Sequence, residues 1–345
     1  MLEGRRVLLL TDGRLGVFTS KTATTILRYR PHDVVALLDR THAGQDPADI
    51  VGVGAGIPIV ASVAEAQRYQ PRCLLVGIAP PGGGLPDDWR AFLRDAIRQG
   101  LDVISGLHLM LGEDPELGPL AAERGVSIHD VRRPPPDIPL GADAARGVAA
   151  RRILVVGTDC NVGKMAAALE VDAELRRRGR RSRFIATGQT GIMLAGEGIA
   201  VDRVVADFVP GAVERMLLAH SHEEALVIEG QGSLIEPAYS GVTLGLMHGS
   251  APDAMVLCHQ PGRERLLHHP RVAIPPLAEM IELHERVMAP LHPSRVVGIA
   301  LNCVHLGEAE ARRAVERAEA ATGLPATDAV RFGAARLADA VEALL

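Results

Sequence analysis

Aromatic side chains make up only 3% of this 345-residue chain: one Trp, three Tyr and five Phe. A core of large rings is excluded. With Ala, Val, Leu and Gly dominating, the composition is that of parallel strands buried on both faces and covered by helices. Cysteine is also sparse. Cys73, Cys160, Cys258 and Cys303 are scattered with no C-x-x-C pair, which excludes a paired-cysteine zinc site and a disulfide framework. No metal ligand set is assigned. Positive charge is not in excess, the formal net charge being −5, so nucleic acid is not an expected partner. The opening stretch MLEGRRVLLLTDG holds too short an apolar run for a secretory signal or a membrane span. No membrane partner is expected, and the cytoplasm is the expected location.

What is present is an alternation of apolar runs and helical patterns, in a length that suits two domains at roughly 150 residues each. In the first half, residues 6–10, 33–39, 72–79 and 101–106 read as strands, with helical segments over 21–29, 63–68 and 87–99. The four prolines within Val131 to Ala144 break every periodicity and read as an interdomain linker. After it RRILVVG, RSRFIATG, EALVIEG, DAMVLCHQ and RVVGIALN give five further strand candidates. The fold class is therefore α/β, a Rossmann-like N-terminal domain over 1–134 and a P-loop NTPase-like parallel-sheet domain over 151–345, joined by a linker over 135–150. The arginine run over 175–183 flanks Gly179 at a helix end and reads as a solvated C-terminus.

The most specific signal is VVGTDCNVGKMAAALEV, an apolar strand, a glycine loop and the start of a helix. Backbone N–H groups over Gly157, Thr158, Asp159, Cys160, Asn161, Val162 and Gly163 would curl around an anion, and Lys164 would add a full positive charge. Where G-x-x-x-x-G-K-[ST] places a hydroxyl to hold magnesium, this chain has Met165. A loop that keeps its cradle and lysine but lacks the metal-binding hydroxyl suits a pyrophosphate that is gripped and not cleaved, as in CoA. The alternative is ATP with magnesium, the ligand being replaced by water or Asp159. The sequence leaves both open.

GTDCNVGK resembles the phosphate loop of dethiobiotin synthetase, and VIEGQGSLIEP resembles the E-G-x-G-G segment of that group. Together with TGQTG, PAYSGVTLGLMHGSAPDAMVLCHQPGR and VVGIALN, these stretches resemble a narrower family of two-domain P-loop proteins, the one that includes the DgcN-type D-glutamate N-acetyltransferases. The resemblance runs through both halves. It implies an acetyl-CoA-dependent transferase acting on D-glutamate or a related acidic amino acid, and a homo-oligomer. An ATP- and magnesium-dependent ligase or kinase like dethiobiotin synthetase, and a non-catalytic nucleotide-sensing protein, are the alternatives. In the first half GIPIVASVAEA and GIAPPGGGLPDDWR look like the CoA-binding domain of succinyl-CoA synthetase, with a purely structural Rossmann-like domain as the other reading.

N-acetylation requires a deprotonated amine, donors for the developing oxyanion and positive charge for the acceptor's carboxylates. Glu229 ends an apolar strand and would emerge beside the phosphate loop, which makes it the candidate base. Gln231 and Ser233, in a glycine-rich turn, are candidate oxyanion donors. His248 is a further candidate proton acceptor. Arg263, after a Pro-Gly turn, suits a substrate carboxylate, with an exposed ion pair to Glu264 as the alternative. Gln189 and Asn302, at strand ends, are substrate-binding candidates. Cys160 at a helix N-terminus would have the setting of an acyl-carrying thiolate, but reads more simply as a space-filling residue where the relatives have threonine.

Overall fold

The computed structural model describes residues 2, 4–17, 19–78 and 84–345, which form two compact units. The first comprises 1–134 and 192–203, and the second 135–191 and 204–345. The chain thus makes an excursion out of the second unit over 192–203, which no feature of the sequence announces. Residues 79–83, which fall within the stretch compared with succinyl-CoA synthetase, lie outside the described residues, as does Phe18.

In the first unit β1 (Val7–Leu10), β2 (Val34–Leu38), β3 (Ile59–Val60), β4 (Cys73–Val76), β5 (Asp102–Ser105) and β6 (Ile128–Asp130) form a parallel sheet in the order β3-β2-β1-β4-β5-β6. The run VLLL of β1 is buried throughout, as a central strand covered on both faces must be. The order reverses between β1 and β4, the arrangement of a Rossmann-type sheet. Trp89, the single tryptophan, is fully buried in this core, and its indole N–H donates to the Asp12 carbonyl at 3.1 Å.

In the second unit β7 (Arg151–Gly157), β8 (Ser182–Ile185), β9 (Ala225–Ile228), β10 (Ala254–His259), β11 (Arg295–Leu301) and β12 (Ala326–Thr327) form a second parallel sheet, ordered β12-β11-β10-β7-β9-β8. From β7 the chain enters the helix Lys164–Arg177 and passes beyond β9 to β8. Later strands β10 and β11 fill the other side of β7. The C-terminal ends of β9, β7 and β10 therefore lie side by side at the switch point, where open α/β sheets bind ligands. Among the described residues no helix is long and apolar enough to cross a membrane.

Two features differ from the sequence reading. The segment read as a linker is packed onto the second unit: Ala145, Val148 and Ala150 are buried, and the amides of Ala142 and Ala144 donate to Glu214 at 2.8 and 3.1 Å. The arginines around Gly179 are not merely solvated. Arg178 bonds Glu174, Asp339 and Glu342, and Arg180 bonds Glu342, tying the helix Ala335–Glu342 to the end of Lys164–Arg177.

The docking of the proline-rich segment is a close backbone contact. A Cβ at Gly211, in the helix Val209–Ala219, would stand 1.9 Å from the Pro139 carbonyl oxygen. Gly211→Ala must therefore displace the segment or the helix, at an expected cost of about 1–3 kcal/mol. Urea unfolding of the variant measures this. A change smaller than about 0.5 kcal/mol, the usual range for surface sites, would mean that the segment is not held there.

Candidate functional site

The phosphate loop leaves β7 at Gly157 and enters the helix at Lys164. Asn161 (φ +61°) and Gly163 (φ +98°) both adopt left-handed backbone, which turns the chain tightly enough for successive N–H groups to point inward. Gly157 has no room for a side chain, because a Cβ there would lie 3.1 Å from Lys164 Nζ. Lys164 is buried, and its Nζ donates to the loop's own Asp159 carbonyl at 2.8 Å. Burial lowers its pKa, with a smaller contribution from nearby Arg263.

Asp159 organises the loop. Its carboxylate is fully buried, and one oxygen accepts from the Cys160 amide at 2.6 Å. The other accepts from Arg263 Nη1 and from the Leu267 amide, both at 2.8 Å. Arg263 Nη1 also donates to the Cys160 carbonyl at 2.7 Å, and Nη2 bonds Gln260 Oε1. The ion pair of Arg263 is thus with Asp159 and not with Glu264. Thr158 Oγ1 lies 3.0 Å from His259 Nδ1, at the end of β10. Burial, helped by Arg263, pushes the His259 pKa down to about 4, so this imidazole is neutral at pH 7.

Glu229 follows β9 directly and is buried. Its Oε2 accepts from the amides of Thr187 and Gly188, each at 3.0 Å. Burial raises its pKa to about 7 against the lowering effect of those amides, Gln231 and Lys164. The glycines around it make the fit possible. A Cβ at Gly191 would come within 2.4 Å of Glu229 Oε2, and one at Gly230 within 1.7 Å of the Val155 carbonyl. Gln231 Nε2 donates to Thr187 Oγ1 at 3.1 Å, and Thr187 Oγ1 donates to the Glu229 carbonyl at 2.6 Å.

The remaining candidates fall into two groups. Asn302 stands beside the loop, with its Cβ 3.5 Å from where a Gly163 Cβ would be. Gln189 is half-buried at the first position of the helix Gln189–Ala195, just after Gly188. Ser233 is buried within its own turn, its Oγ accepting weakly from the Ile235 amide at 3.4 Å. Cys160 and Met165 are half-buried. His248 is not brought to this site. It is exposed in the last turn of Ser240–Ser250, a helix that begins near the Gln231 turn and runs back toward the start of β10. The sequence reading missed His259, Thr187 and Gly188, whose roles depend on partners in other strands. It also missed Glu236, a buried acid whose Oε2 accepts from the Tyr239 amide at 2.7 Å.

Both halves of the chain match family models. Residues 40–134 match the Rossmann-like domain DUF1611_N and residues 139–338 the P-loop domain DUF1611_C, each described as a domain of unknown function. A D-glutamate N-acetyltransferase of Tritonibacter scottomollicae is 38% identical over 350 residues, spanning 100% of both chains. A second protein of that name, from Pseudoalteromonas sp, is 35% identical over 273 residues, 79% of this chain and 82% of its own. The crystal structure of a DUF1611 family protein from Anabaena variabilis is 44% identical and superposes with a TM-score of 0.94, covering 99% of this chain and 100% of that one.

Glu229 makes stability depend on pH in a definite direction. Folding raises its pKa from the ordinary 4.5 to about 7, so the folded state holds the proton more tightly. The contribution is fully present below 4.5 and is lost as the pH rises through 7. Glu229→Gln, which keeps an acceptor for the two amides, removes this dependence. Between pH 4.5 and 8 the variant should gain on the order of 3 kcal/mol relative to the parent. Superimposable pH profiles of urea unfolding would show that the carboxyl is not perturbed.

Proposed function

The chain belongs to the DUF1611 family and, like the relatives that match it along its length, is an N-acetyltransferase; from that premise we propose that acetyl-CoA is the donor, that D-glutamate or a related acidic amino acid is the acceptor, and that the phosphate loop grips the CoA pyrophosphate. The observation that carries the proposal for the loop is the engagement of its carboxylates. Met165 stands where a magnesium-binding hydroxyl would be, and Asp159, the acid that would have to replace it, is held by Arg263 and two amides. Glu229 is likewise held by the amides of Thr187 and Gly188. The loop offers an anion N–H groups and an ammonium, which suffice to grip a pyrophosphate, whereas phosphoryl transfer needs a metal ligand as well.

In this reading the acceptor's amine loses a proton to Glu229 and attacks the thioester carbonyl carbon. A base with a pKa of about 7 suits that role at neutral pH. Gln231 donates to Thr187 Oγ1 and to the Glu229 carboxyl, and the developing oxyanion would draw one of these N–H groups from its present partner. As the C–N bond forms, the C–S bond breaks, and Glu229 returns the proton it took to the departing sulfur, so that CoA leaves as the thiol. Lys164, held against the loop by the Asp159 carbonyl, gives its other N–H groups to the pyrophosphate.

Two measurements test this. Acetyl-CoA and D-glutamate should release free thiol without ATP, and a chelator should leave the rate unchanged; acceptor-dependent phosphate or ADP release would overturn the donor assignment. Lys164→Ala removes a charge-assisted contact worth about 1.5–3 kcal/mol, so the acetyl-CoA dissociation constant should rise roughly ten- to a hundredfold. An unchanged constant by calorimetry would move CoA out of this loop.

A further inference from the structure

The segment that follows β10 gives the site Arg263, and the placement of its remaining residues is not used by the proposed chemistry. Residues 263–274 double back on themselves as a hairpin: the Leu266 amide donates to Val272 O at 3.1 Å, the Ile274 amide to Glu264 O at 2.8 Å, and the turn closes with Val272 N to His269 O at 2.9 Å. It is fastened to the phosphate loop twice, by the Arg263 side chain at its base and by the Leu267 amide where the turn begins, both on Asp159. Its tip reaches the turn after β9, where His269 Nε2 stands 2.9 Å from Oε1 of the buried Glu236, off the line of a hydrogen bond but within ion-pair range. In the strand order β10-β7-β9, the hairpin therefore starts from β10, crosses the phosphate loop of β7 and ends at the loop of β9.

Its charge is one-sided. Arg265 braces the turn by donating to the Pro270 carbonyl at 3.1 Å, and Arg271 and His268 are exposed at the tip. Among the described residues neither Arg265 nor Arg271 makes an ion pair, and Glu264 is the single acid of the segment. An arginine fork held on a fixed turn is suited to a carboxylate. Both donor and acceptor are anionic in the proposed reaction, but the tip meets Glu236, in the segment after β9 that also carries Glu229 and Gln231, where the proposed chemistry puts the amine.

We propose that the hairpin over residues 263–274 is the acceptor-recognition element, with Arg271 at its tip binding the side-chain carboxylate of the acidic amino acid and Arg265 positioning the turn. The inference rests on the proposed function for the identity of the acceptor, and its test separates the two. D-glutamate is titrated into the parent, Arg271→Ala and Arg271→Lys by calorimetry, and the same proteins are assayed with acetyl-CoA. The dissociation constant and KM for D-glutamate should rise at least about tenfold in Arg271→Ala, with partial recovery in Arg271→Lys. The KM for acetyl-CoA should stay within about twofold, because an uncontacted ligand is unaffected. The preference for D-glutamate over D-glutamine should collapse in Arg271→Ala. An unchanged D-glutamate constant, a rise confined to acetyl-CoA, or no D-glutamate binding by the parent would overturn the assignment. Arg271-dependent binding of D-glutamate without acetyl transfer would overturn the function and uphold the hairpin's role.

Discussion

Asp159 is the constraint from which the rest of the site follows. A fully buried carboxylate needs its charge matched and its lone pairs occupied, and here one side chain does this for two separate parts of the chain. Through Cys160 N it fixes the phosphate loop, and through Arg263 and Leu267 N it holds the segment after β10 over that loop. Because Arg263 also grips the Cys160 carbonyl, loop and roof form one hydrogen-bonded body. The charges of Asp159 and Arg263 are both spent in shaping the site, which leaves Lys164 as the cation facing the anion cradle.

Glu229 shows a different use of burial. Two amides hold the carboxylate, yet desolvation outweighs them and leaves the group poised near neutrality. The amides come from the end of β8 and the carboxylate from the end of β9, neighbours only because the chain passes over β9 on its way from β7 to β8. Sheet order thus sets the electrostatics of the candidate base.

Much of this was legible in the sequence. Long apolar runs such as RRILVVG and RVVGIAL declare central strands, and the spacing of Gly157, Gly163 and Lys164 declares the loop. The two-residue strands β3 and β12 and the half-buried, polar β6 carry no such period. The partner of Arg263 was hidden because it lies 104 residues away, while the adjacent Glu264 offered a local decoy. The small residues beside His248 have a packing reason that the sequence does not display: Gly245 and Gly249 let the helix Ser240–Ser250 meet Val209 and Pro210, where a Cβ would come within 2.6 and 2.5 Å.

The bond from Lys164 to the Asp159 carbonyl has a consequence for binding. One of the three N–H groups of the ammonium is engaged by a neutral acceptor of its own loop, which fixes the side chain inside the cradle and leaves the other N–H groups for a ligand. A group carrying formal negative charge on closely spaced oxygens takes these up in charge-assisted bonds. The internal bond thus orders the lysine in advance, so that little of the cost of fixing a long side chain falls on the ligand.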